Sequence, residues 1–202
     1  MGFMVLHTTP TREQILEAAD ARFRQFGFSK TTMAEIAADC DMSAANLYRY
    51  FPGKAEIGAA VAQHCLCDQV NDLRALVRAD GLTAAEKIET FVAGSLGDVY
   101  EALEAEPRLS ELIQFISRER ADLVREHKFD AVGALVSEII SQGNASGEFD
   151  VADVVGAART VVMATFAFHS PFLIMTGIFE REELASMARD TARLLVNGLK
   201  AR

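Results

Sequence analysis

The chain is 202 residues long and half hydrophobic, with four prolines and no tryptophan. With few alternating β-branched runs, it points to an all-α protein built as one large domain or as a small domain and a medium one. A formal net charge of −9 argues against a strongly basic nucleic-acid-binding chain, and no N-terminal segment joins a basic start to a long apolar core, so no secretory signal is expected.

The first ten residues read as a poorly ordered arm. A helix over about 11–26 buries Ile15, Leu16, Ala19 and Phe23, and Gly27 stops it. Thr32 and Glu35 form a capping box for a short helix that turns Ile36 and Ala37 inward. Asp39-Cys40-Asp41-Met42 breaks the pattern, and Ser43 caps a second short helix over about 44–50. A long connector follows over about 53–78, ended by Ala79-Asp80-Gly81. Thr83 and Glu86 start a helix that runs to about 105, and Pro107 suits the first turn of the next, which breaks near Arg120. Further helices are expected over about 121–144, from Asp150 or Asp153 to about 175, and over about 181–199. No internal repeat or low-complexity linker interrupts them.

The second short helix sorts its residues at about 100° per position. With Leu47 pointing inward, Ala44, Tyr50 and Phe51 fall within roughly 60° of it, while Ala45 and Arg49 point nearly opposite and Asn46 and Tyr48 flank them. The outward face is small, amide, aromatic and cationic. Alanines allow close approach to a major groove, Asn46 suits adenine, Arg49 suits guanine or a phosphate, and the Tyr48 hydroxyl suits a phosphate oxygen. On the helical pattern alone, the same residues also describe a plain amphipathic helix with packing tyrosines.

The order TT…IA…S…NLYRYFPGK over residues 31–54, preceded by TREQILEAADARFRQFGF, resembles the DNA-binding signature of the TetR family of bacterial repressors. The resemblance covers residues 11–57; beyond Ile57 only helical layout and length are similar. It implies an N-terminal three-helix helix-turn-helix domain over residues 1–54. A larger helical effector-binding and dimerisation domain would occupy 55–202, and a cytoplasmic homodimer would bind double-stranded DNA at a palindromic operator, most readily as a repressor. By motif position it implies DNA contacts from Thr32, Ala44, Ala45, Asn46, Tyr48, Tyr50 and Lys54, to which the helical wheel adds Arg49. Ala34 departs from the polar reader that some members carry. Tyr50 is turned partly inward by the wheel and toward the DNA backbone by the resemblance; both hold if its ring packs and its hydroxyl reaches out.

Residues 1–54 hold six cationic and six acidic side chains, so the whole excess of −9 lies in the rest of the chain. Cys65 and Cys67 sit about 200° apart on a helix and make no convincing metal site, which leaves buried thiols in a reducing cytoplasm. Residues 160–179 form a run of twenty without a formal charge. Its Thr, His, Ser and Pro content and its charged borders favour a helix buried in a bundle over a membrane span. In the last helix Leu184, Met187, Ala188, Thr191, Leu194, Leu195 and Leu199 form one seam, which with the preceding helix suits a four-helix homodimer interface.

The body carries enough aromatic residues to line an apolar pocket. The expected effector is small and largely apolar, and lies between the connector and the helices carrying Phe115 and Phe166. Phe91, Tyr100, Phe115, Met163 and Phe166 would line it, and His169 would orient a ligand's hydroxyl or carbonyl. His127 beside Lys128 is expected to be exposed. No cofactor or metal is expected, nor catalysis. The chain lacks Glu-x-x-His, HExxH, GxSxG and a phosphate-binding glycine loop, against the alternatives of a helical-bundle enzyme or an interaction protein without operator binding.

Overall fold

The computed structural model describes residues 11–105, 107–169 and 171–200, apart from the side chains of Cys65, Asp68, Ala102, Leu109, Lys128, His169, Phe172 and Leu173. The N-terminal arm expected over residues 1–10 lies outside the described residues.

Local hydrogen bonds set the first helices. Thr11 caps α1 (Arg12–Phe26) in a reciprocal box with Gln14, and Thr32 does the same for α2 (Met33–Asp39) with Glu35. Each box satisfies amide N–H groups that a first helical turn leaves without a carbonyl. Gly27 ends α1 at φ 91°, where a side chain is disfavoured. At the end of α2 the Met42 N–H donates to the Ala37 carbonyl (2.9 Å) and the Asp41 N–H to that of Ala38 (3.1 Å). This paired closure needs a residue at positive φ, and Asp41 takes it at 52°. Aspartate is among the few residues with a side chain that tolerate this conformation.

Ser43 caps α3 (Ala44–Leu47) by accepting from the Asn46 N–H. The α-helix is shorter than the sequence suggests. The Arg49 and Tyr50 N–H groups donate only three residues back, to Asn46 and Leu47, in a tighter turn. Pro52 disfavours helical dihedrals at Phe51, so the helix unwinds before it. Ile15 and Phe23 of α1, Ile36 of α2, Leu47 of α3 and Phe51 bury together as the core of the head. On its surface the Arg22 guanidinium clamps α1 to α2, donating to both Asp39 oxygens (2.6 and 2.9 Å) and pairing with Glu35 at 3.3 Å.

The 25-residue α4 (Lys54–Arg78) belongs to both halves of the molecule. Its first turns place Ile57 and Val61 in the head core, and its last place Leu73 and Val77 in the body core. The buried Lys87 of α5 (Ala84–Ala105) donates to the Val77 carbonyl (2.7 Å) and to the Gln142 side chain (2.9 Å), which fastens the far end of α4. The Thr83–Glu86 box starts α5 as expected, and the Glu148 carboxylate accepts from the next two N–H groups, those of Ala84 and Ala85. After α6 (Leu109–Glu119) the chain breaks at Arg120.

Two expected helices are interrupted. The one over 121–144 consists of α7 (Ala121–Arg125), a π-helical segment (Glu126–Val132) and α8 (Gly133–Ser146). Bonding five residues apart widens each turn and re-aims the side chains within it. His127 is consequently buried, not exposed. Asp153 caps α9 (Val154–Thr165), which gives way to a 3-10 turn (Phe166–His169); α10 (Pro171–Met175) then starts at Pro171, whose missing N–H is no loss at a first helical position. The last helix, α11 (Arg181–Leu199), has the expected bounds. Helices α5, α8, α9 and α11 enclose the body core around Ile88, Val92, Ile139, Ile140, Val161 and Leu184. No described helix is long and apolar enough to cross a membrane; much of the uncharged run is core instead, with Val161, Val162, Thr165 and Phe168 buried.

The clamp on α2 makes stability depend on pH in a defined direction. Its hydrogen bond from Arg22 holds the Asp39 carboxyl below the ordinary carboxylate range. A group depressed in the folded state contributes stability that is present above its unfolded pKa and lost as pH falls through the folded one. Arg22→Met should therefore cost about 0.5–1 kcal/mol at neutral pH. The two proteins should converge as pH falls through and below the ordinary carboxylate range, measured by thermal melts across pH.

Candidate DNA-binding face and effector cavity

Around α3 the structure leaves Thr32, Ala45, Tyr48 and Arg49 exposed, while Ala44, Asn46, Tyr50 and Lys54 are half-buried. Ala45, Tyr48 and Arg49 share one side of the α3 turn, opposite the fully buried Leu47. The Tyr50 ring packs on the head core, as the wheel requires. Arg22 is committed to Asp39 and Glu35, so two acidic side chains of α2 are already paired behind this face.

Lys54 has a second set of partners that the sequence gave no reason to expect. Its ammonium donates to the carbonyls of Phe28 (2.7 Å) and Ser29 (3.2 Å) and lies 4.7 Å from the centre of the Phe28 ring. Desolvation pulls its pKa down, against the opposing pull of Glu111 and Glu35. The residue ties the first turn of α4 to the loop between α1 and α2.

The body meets the head at the same loop. Phe28 stacks on Phe115 of α6 at 4.7 Å and meets Phe23 edge-on at 5.2 Å. The Ser29 N–H donates to the Glu111 carboxylate (2.7 Å), which holds that carboxyl below its ordinary range, and Arg108 donates to the Gln25 carbonyl.

Two clefts flank α4. One of about 140 Å³ lies between α4, α5 and the π-helical segment, and one of about 200 Å³ lies between α4, α7 and the same segment; His127 contributes to both. The aromatic residues expected to line a single pocket are dispersed. Phe91 lines the smaller cleft. Tyr100 lies beneath the Arg181 guanidinium (4.9 Å), Phe115 faces the head, Met163 is 62% exposed on α9, and Phe166 is half-buried in the 3-10 turn. The side chain of His169 lies outside the described residues. The sequence reading missed Asp72, Asp98 and His127. Asp98 was legible in principle: it stands seven residues, two turns, after Phe91 and so shares its face. His127 was not, because its direction depends on the π-helical segment. Among the described residues no three His, Cys, Asp or Glu side chains are grouped to hold a metal.

A helix-turn-helix on a three-helix head, joined by one shared helix to a helical body with clefts along it, defines a DNA-binding transcription regulator with a ligand-binding domain. The chain belongs to the TetR family: the pattern of bacterial regulatory proteins of the tetR family matches residues 15–61, and that of the tetracyclin repressor-like C-terminal domain matches residues 84–189. None of the curated proteins matches significantly. Among solved structures the chain is similar to a transcriptional regulator from Cytophaga hutchinsonii, at 24% identity over 94% of this chain and 98% of that one, with a TM-score of 0.68. It is also similar to SmeT, the repressor of the Stenotrophomonas maltophilia multidrug efflux pump SmeDEF (19% identity, 96% and 93% covered, TM-score 0.65). A third is Thermus thermophilus FadR, a transcriptional repressor in complex with lauroyl-CoA (22% identity, 95% and 96% covered, TM-score 0.64).

The Lys54 contacts generate a prediction that a purely DNA-contacting lysine would not. Lys54→Ala should lower the stability of the DNA-free protein by about 1–2 kcal/mol, measured by urea unfolding, because the Phe28 and Ser29 carbonyls lose a charged donor.

Proposed function

We propose that this regulator binds a palindromic operator as a homodimer and acts as a repressor released by a small-molecule effector. The observation that carries the reading is the outward patch of α3, where Ala45, Tyr48 and Arg49 are open to solvent with Thr32 and Asn46 beside them. In this reading Ala44 and Ala45 admit α3 to the major groove, where an alanine methyl packs on a thymine methyl; Asn46 pairs with adenine and Arg49 with guanine. Thr32, Tyr48, Tyr50 and Lys54 hold the phosphates and fix the register. With a head that is neutral overall, affinity rests on few phosphate contacts per subunit and on pairing two heads. Residues 1–54 form the DNA-binding domain and 55–202 the effector and dimerisation domain.

The exposed apolar residues of the last long helices support the dimer. On α9 Val155 and Met163 are 63% and 62% exposed, and on α11 Met187 and Leu194 are 41% and 73% exposed. Spacings of eight and seven put each pair on one stripe, while Leu184, Ala188, Ala192 and Val196 fill the opposite stripe of α11 inside the monomer. Two such faces from each subunit would make a four-helix interface. SmeT is the repressor of an efflux pump and FadR was solved with lauroyl-CoA, so relatives of this fold support both repression and response to a small molecule. Coupling runs through α4 and α6: an effector that prefers one placement of α4 in the body prefers one placement of the head, and only that difference in affinity releases DNA.

Selection from random duplex DNA with the folded protein should enrich a palindrome whose half-sites lie about 34–36 Å apart or a multiple of that. Asn46→Ala or Arg49→Ala should then relax preference at one position per half-site, costing about 1–3 kcal/mol. Failure to enrich any sequence would refute the operator reading. Leu194→Glu combined with Met163→Glu should yield a folded monomer by light scattering, with operator affinity sharply reduced. A wild-type monomer at micromolar concentration that still bound a palindrome tightly would refute the dimer.

A further inference from the structure

The smaller cleft beside α4 has two different surfaces. Its floor is buried and apolar, made by Leu73 of α4, by Phe91 and Val99 of α5 and by Val132, with the His127 ring in the wall. Its mouth is exposed and acidic: Asp72 from α4 and Asp98 from α5 approach from opposite sides, and no lysine or arginine is among the described lining residues. The Ser95 hydroxyl, one turn before Asp98, is turned back to the Phe91 carbonyl (2.7 Å). No described lysine or arginine of this lining pairs with either carboxylate.

Two negative groups at one opening repel each other, and each gains from a positive group placed between them. Burial raises the pKa of the Asp98 carboxyl first, and repulsion from Asp72 and then from Glu101 raises it further, so both charges that act on it are negative. The larger cleft across α4 is different: its lining includes both Arg74 and Glu126, one charge of each sign. The π-helical segment, a form found often at functional sites, brings His127 into the wall shared by the two clefts.

We infer that the effector of this regulator is an amphipathic organic cation, an ammonium on a small apolar body, with the ammonium held between Asp72 and Asp98 and the body on the Phe91–Val99–Val132 floor. The assignment rests on the reading of the body as the effector domain. It sets this chain apart from its FadR relative, since the phosphates of an acyl-CoA would meet like charge at this mouth. The volume of about 140 Å³ is near that of a cavity able to hold benzene. One ring on the floor with a two-carbon amine arm reaching the mouth therefore fits, and 2-phenylethylamine is a suitable probe. Such a ligand touches α4 at Leu73 and Asp72, on the helix that continues into the head.

Calorimetry and operator release should be measured on the dimer with 2-phenylethylamine, its neutral counterpart 2-phenylethanol and its anionic counterpart 3-phenylpropionate. The amine should bind at least about tenfold more tightly than either and be the one that releases operator. Asp72→Asn and Asp98→Asn should each weaken the amine by about tenfold while leaving operator affinity unchanged. Without ligand, both variants should melt no lower than the parent, since each removes a like-charge repulsion. Equal affinity for alcohol and amine, amine binding that survives in the double Asn variant, or no saturable amine binding at millimolar concentration would each overturn the inference. A protein that binds its operator but fails these tests refutes the cation alone. One that binds the amine but enriches no operator refutes the regulatory reading instead.

Discussion

Phe28 is enclosed on four sides, and the placement of the DNA-binding head depends on that enclosure. Phe23 meets it edge-on from α1, Phe115 stacks on it from α6, and the Lys54 ammonium lies over it from the start of α4. The fourth side is an absence: a Cβ on Gly58 would lie 2.6 Å from the ring and 3.1 Å from Leu112, so α4 passes this close only because it has no side chain there. Because Phe28 sits in the loop that leads into α2, the orientation of the helix-turn-helix pair follows from contacts made partly by the body. The Glu111–Ser29 hydrogen bond reinforces the same junction from α6. Head and body therefore share one apolar cluster, in which Leu112, Ile116 and Leu123 continue the row begun by Ile15 and Phe23.

What the sequence disclosed was what short-range chemistry decides. The Thr32–Glu35 and Thr83–Glu86 boxes, the Ser43 cap and the Gly27 stop each involve residues within four positions of one another, and each is present as read. The bounds of α11 were legible for a related reason: an apolar stripe of period three and four runs unbroken along it. The breaks were harder. Nothing within residues 121–144 marks a change from α to π bonding, since Glu126 to Val132 has ordinary helical composition. Pro171 marks where the expected long helix restarts as α10, but nothing at Thr165 itself announces the end of α9.

The candidate effector site shows the limit more sharply. An aromatic residue in a helical body is either core or lining, and sequence periodicity gives the same answer for both. Phe115 and Phe91 look alike on paper, yet one stacks against the head and the other floors a cleft. Asp72 and Asp98 lie on helices separated by a turn, so their meeting is a matter of packing angle. The outward residues of α3 were easier to name because Leu47 alone orients that short helix, and the first turn is where residues 44–47 keep regular α geometry.

Lys54 and Lys87 act on the same helix from opposite ends. One fixes the start of α4 to the carbonyls of residues 28 and 29, and the other grips the carbonyl of Val77 near its last turn. At 25 residues α4 is roughly 37 Å long, and the two clefts meet it between Gln63 and Arg74, nearer its far end than its start. The near end of α4 is thus tied to the head it carries, and only the far end is tied to the body. A ligand pressing on α4 at Leu73 and Asp72 would lever a head that travels with its helix as one piece.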